Sequence, residues 1–165
     1  MKIQIKQLRP SPFRDLEKNP VPAEKVRMLV KSIKETGFWD NTPCRPHPTE
    51  KGAYQLPAGH ARLKALWETY GKISTHTVDI PMRQLSDDMM VKMMAYENAG
   101  VWGKTTASVL EAVAAAEKQI SVRTEIQPTP QAVTKFLGEP YELWEVTEAL
   151  KNEDSSGARD SHSQP

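Results

Sequence analysis

The residues best suited to chemistry are Gly59, His60, Ala61 and Arg62. They fall where the strand-like run Tyr54-Gln55-Leu56-Pro57-Ala58 gives way to a helical pattern. The first N–H groups of a helix lack intrahelical partners and lie at the positive end of its dipole, so such a turn favours an anion. Glycine allows a close approach to the backbone. Arg62, one turn in, carries a planar fork that matches a phosphate bidentately, and His60 can add a donor. Strand-to-helix turns often contain glycine, and an arginine there is often a solvated surface charge, so the pattern alone leaves both readings open. No carboxylate partner is identifiable for His60, which therefore reads as a phosphate or packing contact rather than a general base. His47, His60, His76 and His162 do not fall at helical ligand spacing, and Cys44 is the only cysteine. An intrachain disulfide is excluded, and a structural zinc site is disfavoured.

The elements that would position this turn follow from periodicity. Ile3 and Ile5 alternate with polar residues, which predicts a strand over the first eight residues. Pro10, Pro12, Pro20 and Pro22 mark an extended loop. Val26, Leu29, Val30 and Ile33 form one apolar stripe of a helix that starts at Ala23 and ends before Gly37. A short strand is expected around Cys44-Arg45, with Phe38-Trp39-Asp40-Asn41 as either a ligand-facing loop or a half-buried aromatic plug. Pro57 must lie at a strand end or edge. Leu63, Leu66, Trp67 and Tyr70 give the helix after Gly59 one face, and Gly71 closes it. Another strand is expected from His76 to Met82. Ser86 is a good N-cap for a helix whose methionines at 89, 90, 93 and 94 read as core filler. Thr105 or Thr106 caps a further helix, and Thr129-Pro130 starts the next, which ends at Gly138. A final helix carries Leu143, Val146 and Leu150. The polar segment 152–165 lacks an apolar face and reads as a disordered tail.

At 165 residues the chain has room for one proper core and a small appendage. The net charge is +1, so nucleic-acid binding cannot rest on overall charge, and any basic surface must be local. Lys25, Arg27, Lys31 and Lys34 gather on the first helix, as a solvated face or a face that tracks a phosphate backbone. No run approaches the ~20 apolar residues that cross a bilayer. The expectation is a cytoplasmic protein without a membrane partner.

Four segments in order, LRPSPFRD, KSIKETGFWDN, AGHARLKAL and LSDDMMVKMMAYEN, resemble the ParB/sulfiredoxin-like superfamily. The likeness is greatest to a phage- and plasmid-associated branch with a ParB-like N-terminal (ParB-like nuclease) domain, and it runs from about Ile3 to about Trp102. It implies an α/β (α+β) fold with a small mixed sheet flanked by helices over 1–103, a helical extension over 104–151, and the tail over 152–165. It further implies a phosphate-contacting turn at Gly59, His60, Ala61 and Arg62, with Arg14 near the basic residue of the family's first box. Gly59 and Arg62 match the family's Gly-Glu-Arg-Arg, whereas His60 and Ala61 depart from it. Glu97 and Asn98 fall on the pair that holds the divalent metal in CTP-binding members, which implies Mg2+ and a nucleoside triphosphate, CTP first. Val101 stands where the family has an arginine.

The implied role is a nucleotide-binding, DNA-associated protein of plasmid or phage partition or gene control, with homodimerisation left open. Three alternatives accompany it: a metal-dependent nuclease, a nucleotide hydrolase, and a ParB-fold scaffold that binds no ligand. Sulfiredoxin chemistry fails, because His60 stands where the reactive cysteine would follow the glycine. Residues 129–150 resemble a helix-turn-helix, but the would-be recognition helix, Tyr141 to Glu148, is acidic and suits phosphate poorly. A structural helix pair is the favoured reading of that segment.

Overall fold

The N-terminal segment forms two short strands in place of one. β1 (Lys2–Gln4) and β2 (Leu8–Arg9) flank a 3-10 turn over Ile5–Gln7, where the Gln4 amide donates to Gln7 Oε1 at 3.0 Å. Ile3, Ile5 and Leu8 all remain buried across the break. The break lets one segment serve two sheets. β1 pairs antiparallel with β5 (Thr77–Asp79), whereas β2 pairs parallel with β4 (Tyr54–Gln55). β3 (Arg45–Pro46) pairs antiparallel with β4, which gives the order β2-β4-β3. The strand ends at Gln55, so Pro57 lies beyond the ladder, as its missing N–H requires.

The computed structural model describes residues 1–38, 41–100 and 103–157 (from 153 on, the backbone alone). The chain divides into two compact units, Met1–Met94 and Ala95–Pro165. In the first, α1 (Ala23–Thr36) buries Val26 and Ile33, with Leu29 and Val30 half-buried beside them. Gly37 ends it with φ +74°, and its N–H donates to Ile33 O at 2.9 Å. α1 packs on α2 (His60–Tyr70), which adds Leu63, Ala65 and Leu66 to a core shared with Ile3, Ile5, Leu8, Val78 and Ile80. Each large aliphatic side chain buried here contributes roughly 1.5–3 kcal/mol. Phe38 packs half-buried against this core, whereas Trp39 and Asp40 lie outside the described residues.

α3 (Asp87–Gly100) begins in the first unit and ends in the second. Met90 and Met94 are fully buried, but Met89 is exposed, which corrects the expectation that all four methionines fill the core. In the second unit, α4 (Thr106–Thr124) starts at a reciprocal cap. Ser108 N–H donates to Thr105 Oγ1 at 3.1 Å, and Thr105 N–H to Ser108 Oγ at 2.9 Å. Thr129 caps α5 (Pro130–Leu137), with its Oγ1 accepting the Ala132 N–H. α6 (Leu143–Gly157) buries Val146 and Ala149 rather than Leu143, which is exposed, and it runs into the segment whose composition suggested disorder. Buried Tyr141 donates its hydroxyl to Ala95 O at 3.1 Å. Burial, then the nearby Glu145 and Glu111 carboxylates, push that phenol above its ordinary range, so it remains a donor.

Candidate functional site

α2 starts where the sequence places it. Gly59 sits at its N-cap with φ +78° and ψ 24°, a left-handed conformation that costs other residues roughly 1–2 kcal/mol. The first intrahelical bond runs from Leu63 N–H to Gly59 O at 2.9 Å, which leaves the amides of His60, Ala61 and Arg62 outside the ladder. No side chain caps this end and no acidic residue lies in its first turn, so no carboxylate in that turn opposes an anion. Gly59 and His60 are buried, and access from solvent begins at half-buried Ala61 and Arg62.

His60 is not an outward-facing donor. It is 6% exposed, and its Nε2 accepts the Ser11 N–H at 3.1 Å. Burial, with the Arg14 charge adding to it, depresses the imidazole to about 3, so the ring is neutral over the physiological range. The same contact brings in the segment that carries Arg14. Arg14 Nη2 donates to Asn19 O at 2.9 Å, and the Arg14 N–H to Ser11 O at 3.2 Å. Gly59, His60, Arg62 and Arg14 thus share one unit, and His60 links the loop at 11–19 to the start of α2. Sequence reasoning missed Ser11, a serine in a Pro-rich loop whose only local signal is its place between Pro10 and Pro12.

The strand that leads to the turn is fixed by a buried polar fork. Arg45 Nε and Nη2 both donate to Gln55 Oε1, at 3.0 and 2.9 Å, while Nη1 reaches Leu85 O at 3.0 Å and Asp87 Oδ1 at 2.7 Å. Arg45 is 8% exposed and Gln55 5%. Pattern reading could not find this pair, because Gln55 follows a polar alternation that places it equally well in water.

Glu97 and Asn98 lie half-buried in the last turn of α3, in the second unit. A carboxylate there is opposed by the negative end of the helix dipole. Asn98 Nδ2 is buried without a hydrogen-bond partner. The pair therefore combines hard oxygen donors with a stranded amide donor, which fits a cation accompanied by an acceptor-rich anion. Among the described residues, no three His, Cys, Asp or Glu side chains cluster as a metal site, so such a cation would draw further ligands from phosphate oxygens and water. Val101 lies outside the described residues.

Cys44 is fully buried and burial pushes its thiol up, the opposite of a reactive cysteine. On α6, Trp144 is 64% exposed, and its indole N–H donates to Glu142. Glu142 and Glu148 flank it on the exposed side, an acidic surface where a recognition helix would need a basic one. Among the described residues no helix is long and apolar enough to cross a membrane.

Comparison with known proteins agrees with this architecture. A 23% identical structure, Caulobacter crescentus ParB truncated at its C-terminus and complexed with CTP-gamma-S, superposes with a TM-score of 0.51 over 90% of this chain and 75% of that one. The same protein complexed to its centromeric parS site gives 21% identity and a TM-score of 0.52 over 90% and 69%. A Rhizobium rhizogenes protein provisionally named replication protein B is 36% identical over 70 residues, which is 42% of this chain and only 21% of that protein. The profile of the ParB N-terminal domain matches residues 1–99, and the chain belongs to that family.

Proposed function

We propose that the chain is a nucleotide-binding, DNA-associated protein of the partition type, in which the start of α2 receives the phosphates of a nucleoside triphosphate, CTP first. The observation that carries this reading is the left-handed Gly59 at an uncapped helix start, free of acidic residues in its first turn and tied through His60 to the Arg14 loop. Arg62 and the amides of Ala61 and Arg62 bind and orient the phosphates. Arg14 adds positive charge from the 11–19 loop. Glu97 and Asn98, in the second unit, would hold Mg2+ through their side-chain oxygens. The likeness to a protein complexed with CTP-gamma-S supports the choice of nucleotide.

DNA association is inferred from kinship with a parS-binding protein. The acidic surface around Trp144 argues that α6 is not the reading element, so contact with DNA falls to other surfaces. The absence of a carboxylate cluster among the described residues favours binding over two-metal cleavage. The burial of Gly59 and His60 favours a second reading, a ParB-fold scaffold without a ligand.

Calorimetry with CTP, ATP and GTP in Mg2+ separates the two. The first reading expects CTP to bind and Arg62→Ala to weaken it by about 1.5–3 kcal/mol, one charge-assisted bond. No heat from any of the three at millimolar nucleotide leaves the scaffold.

A further inference from the structure

His60 is joined to a residue 49 positions away in the chain. Its Nε2 accepts the Ser11 N–H at 3.1 Å, and both residues are buried. Accepting at Nε2 requires the lone pair there, so the ring carries its proton on Nδ1. Ser11 in turn organises the residues after it. Its Oγ accepts the Phe13 N–H at 3.3 Å, and its carbonyl accepts the Arg14 N–H at 3.2 Å. Arg14 then reaches Asn19 O, Asp15 Oδ1 accepts the amides of Glu17 and Lys18, and the Asn19 N–H donates to Asp15 O. The 11–19 loop is therefore braced within itself and pinned to α2 through one imidazole nitrogen and the Ser11 amide.

We propose that His60 is a positioning residue for ligand binding. Its bare Nε2 locks the 11–19 loop, and Arg14 with it, in register with the Gly59 turn, so that loop and helix start act on one anionic ligand. The ligand half of this inference rests on the nucleotide reading above; the loop half rests on the hydrogen bond alone. A histidine that only filled space would be replaceable by any side chain of similar volume. This one is replaceable only by a side chain that presents an acceptor to Ser11, since a buried amide without a partner is costly.

The test uses the full chain with His60→Phe, which fills the volume without an acceptor, and His60→Gln, which can supply one. Nitrogen NMR of the wild type is expected to show the Nδ1–H tautomer. In the Phe variant, exchange of the Ser11 amide rises about tenfold or more and the CTP Kd weakens by about tenfold, the loss of one buried hydrogen bond. The Gln variant stays within about threefold of wild type in both, since an acceptor is restored. An Nε2–H tautomer, or a Phe variant that matches wild type, overturns the proposal. Should the Phe variant fail to fold, an unprotected Ser11 amide in the Gln variant overturns it instead, and a protected one supports it. Should wild type bind no CTP, the nucleotide reading falls, and the tautomer and Ser11 exchange still decide the role of His60.

Discussion

Replacing Arg45 by methionine removes the donor fork on β3 while keeping an unbranched side chain of similar length. The geometry sets three consequences. Gln55 Oε1, which accepts two bonds from Arg45 in a residue 5% exposed, becomes a buried acceptor without its partner. That costs about 1–3 kcal/mol. Leu85 O loses its guanidinium donor, and the Asp87 pair is lost. The Asp87 side chain is 55% exposed, so its pair contributes less than about 1 kcal/mol. The sum is about 1–4 kcal/mol, read as a fall of about 0.5–2 M in the urea midpoint for an m-value near 2 kcal/mol/M. A second variant sharpens the test. In Arg45→Met/Gln55→Leu both partners of the main bond are apolar, and no acceptor is stranded. The double variant is therefore expected to regain at least about 1 kcal/mol over Arg45→Met alone, as a strongly non-additive cycle. Urea titration by circular dichroism measures all four proteins. A double variant as unstable as the sum of the singles would refute the reasoning, as would a single variant within about 0.5 kcal/mol of wild type.

Gly138→Ala is expected to destabilise the helical unit by about 1–2 kcal/mol, because φ is +71° there. Its Cβ would also meet Tyr96 Oη at 2.9 Å, but Tyr96 is half exposed and can move, so adding Tyr96→Phe recovers little in thermal melts. His60 gives an acid dependence of definite sign. Its folded value of about 3 lies below the ordinary 6.5, so its contribution to stability is complete above about pH 6.5 and declines as pH falls toward 3. The slope is about 1.4 kcal/mol per pH unit for one proton, and His60→Phe should remove it from pH-dependent urea midpoints. Burial alone raises the Glu145 carboxyl, but hydrogen bonds from Lys104 and from the Glu142 amide carry it below its usual range. Its contribution is present above the unfolded value and lost as pH falls through the folded one. In Lys104→Met the acid sensitivity of the helical unit is expected to flatten; an unchanged pH profile would count against this pair.

What the sequence made legible was set by local physics. Gly37, Gly59, Gly71 and Gly138 end or begin helices because a positive φ is needed at each, and a positive φ is written in the residue type. The stripe Val26–Ile33 marks the buried face of α1 because helical periodicity is also a local property. The rest depended on partners distant in sequence. Nothing in Ile5-Lys6-Gln7 announces a 3-10 turn, because the break arises from two different strands, β5 and β4, claiming its two ends. Ser11 and His60 lie 49 positions apart, and only the fold buries them against each other. Leu143 fits an apolar pattern but lies in the first turn of α6, where Val146 and Ala149 already fill the inner face. The stranded Asn98 amide and the dipole environment of Glu97 were not readable either.

An anion that settles on the start of α2 must perturb its first amides, and NMR during a CTP titration with Mg2+ reads them residue by residue. The Ala61 and Arg62 amides are expected to shift together with those of the 11–19 loop, saturably, with the shifts lost in Arg62→Ala. Shifts confined to other segments, or none at millimolar CTP, would contradict it.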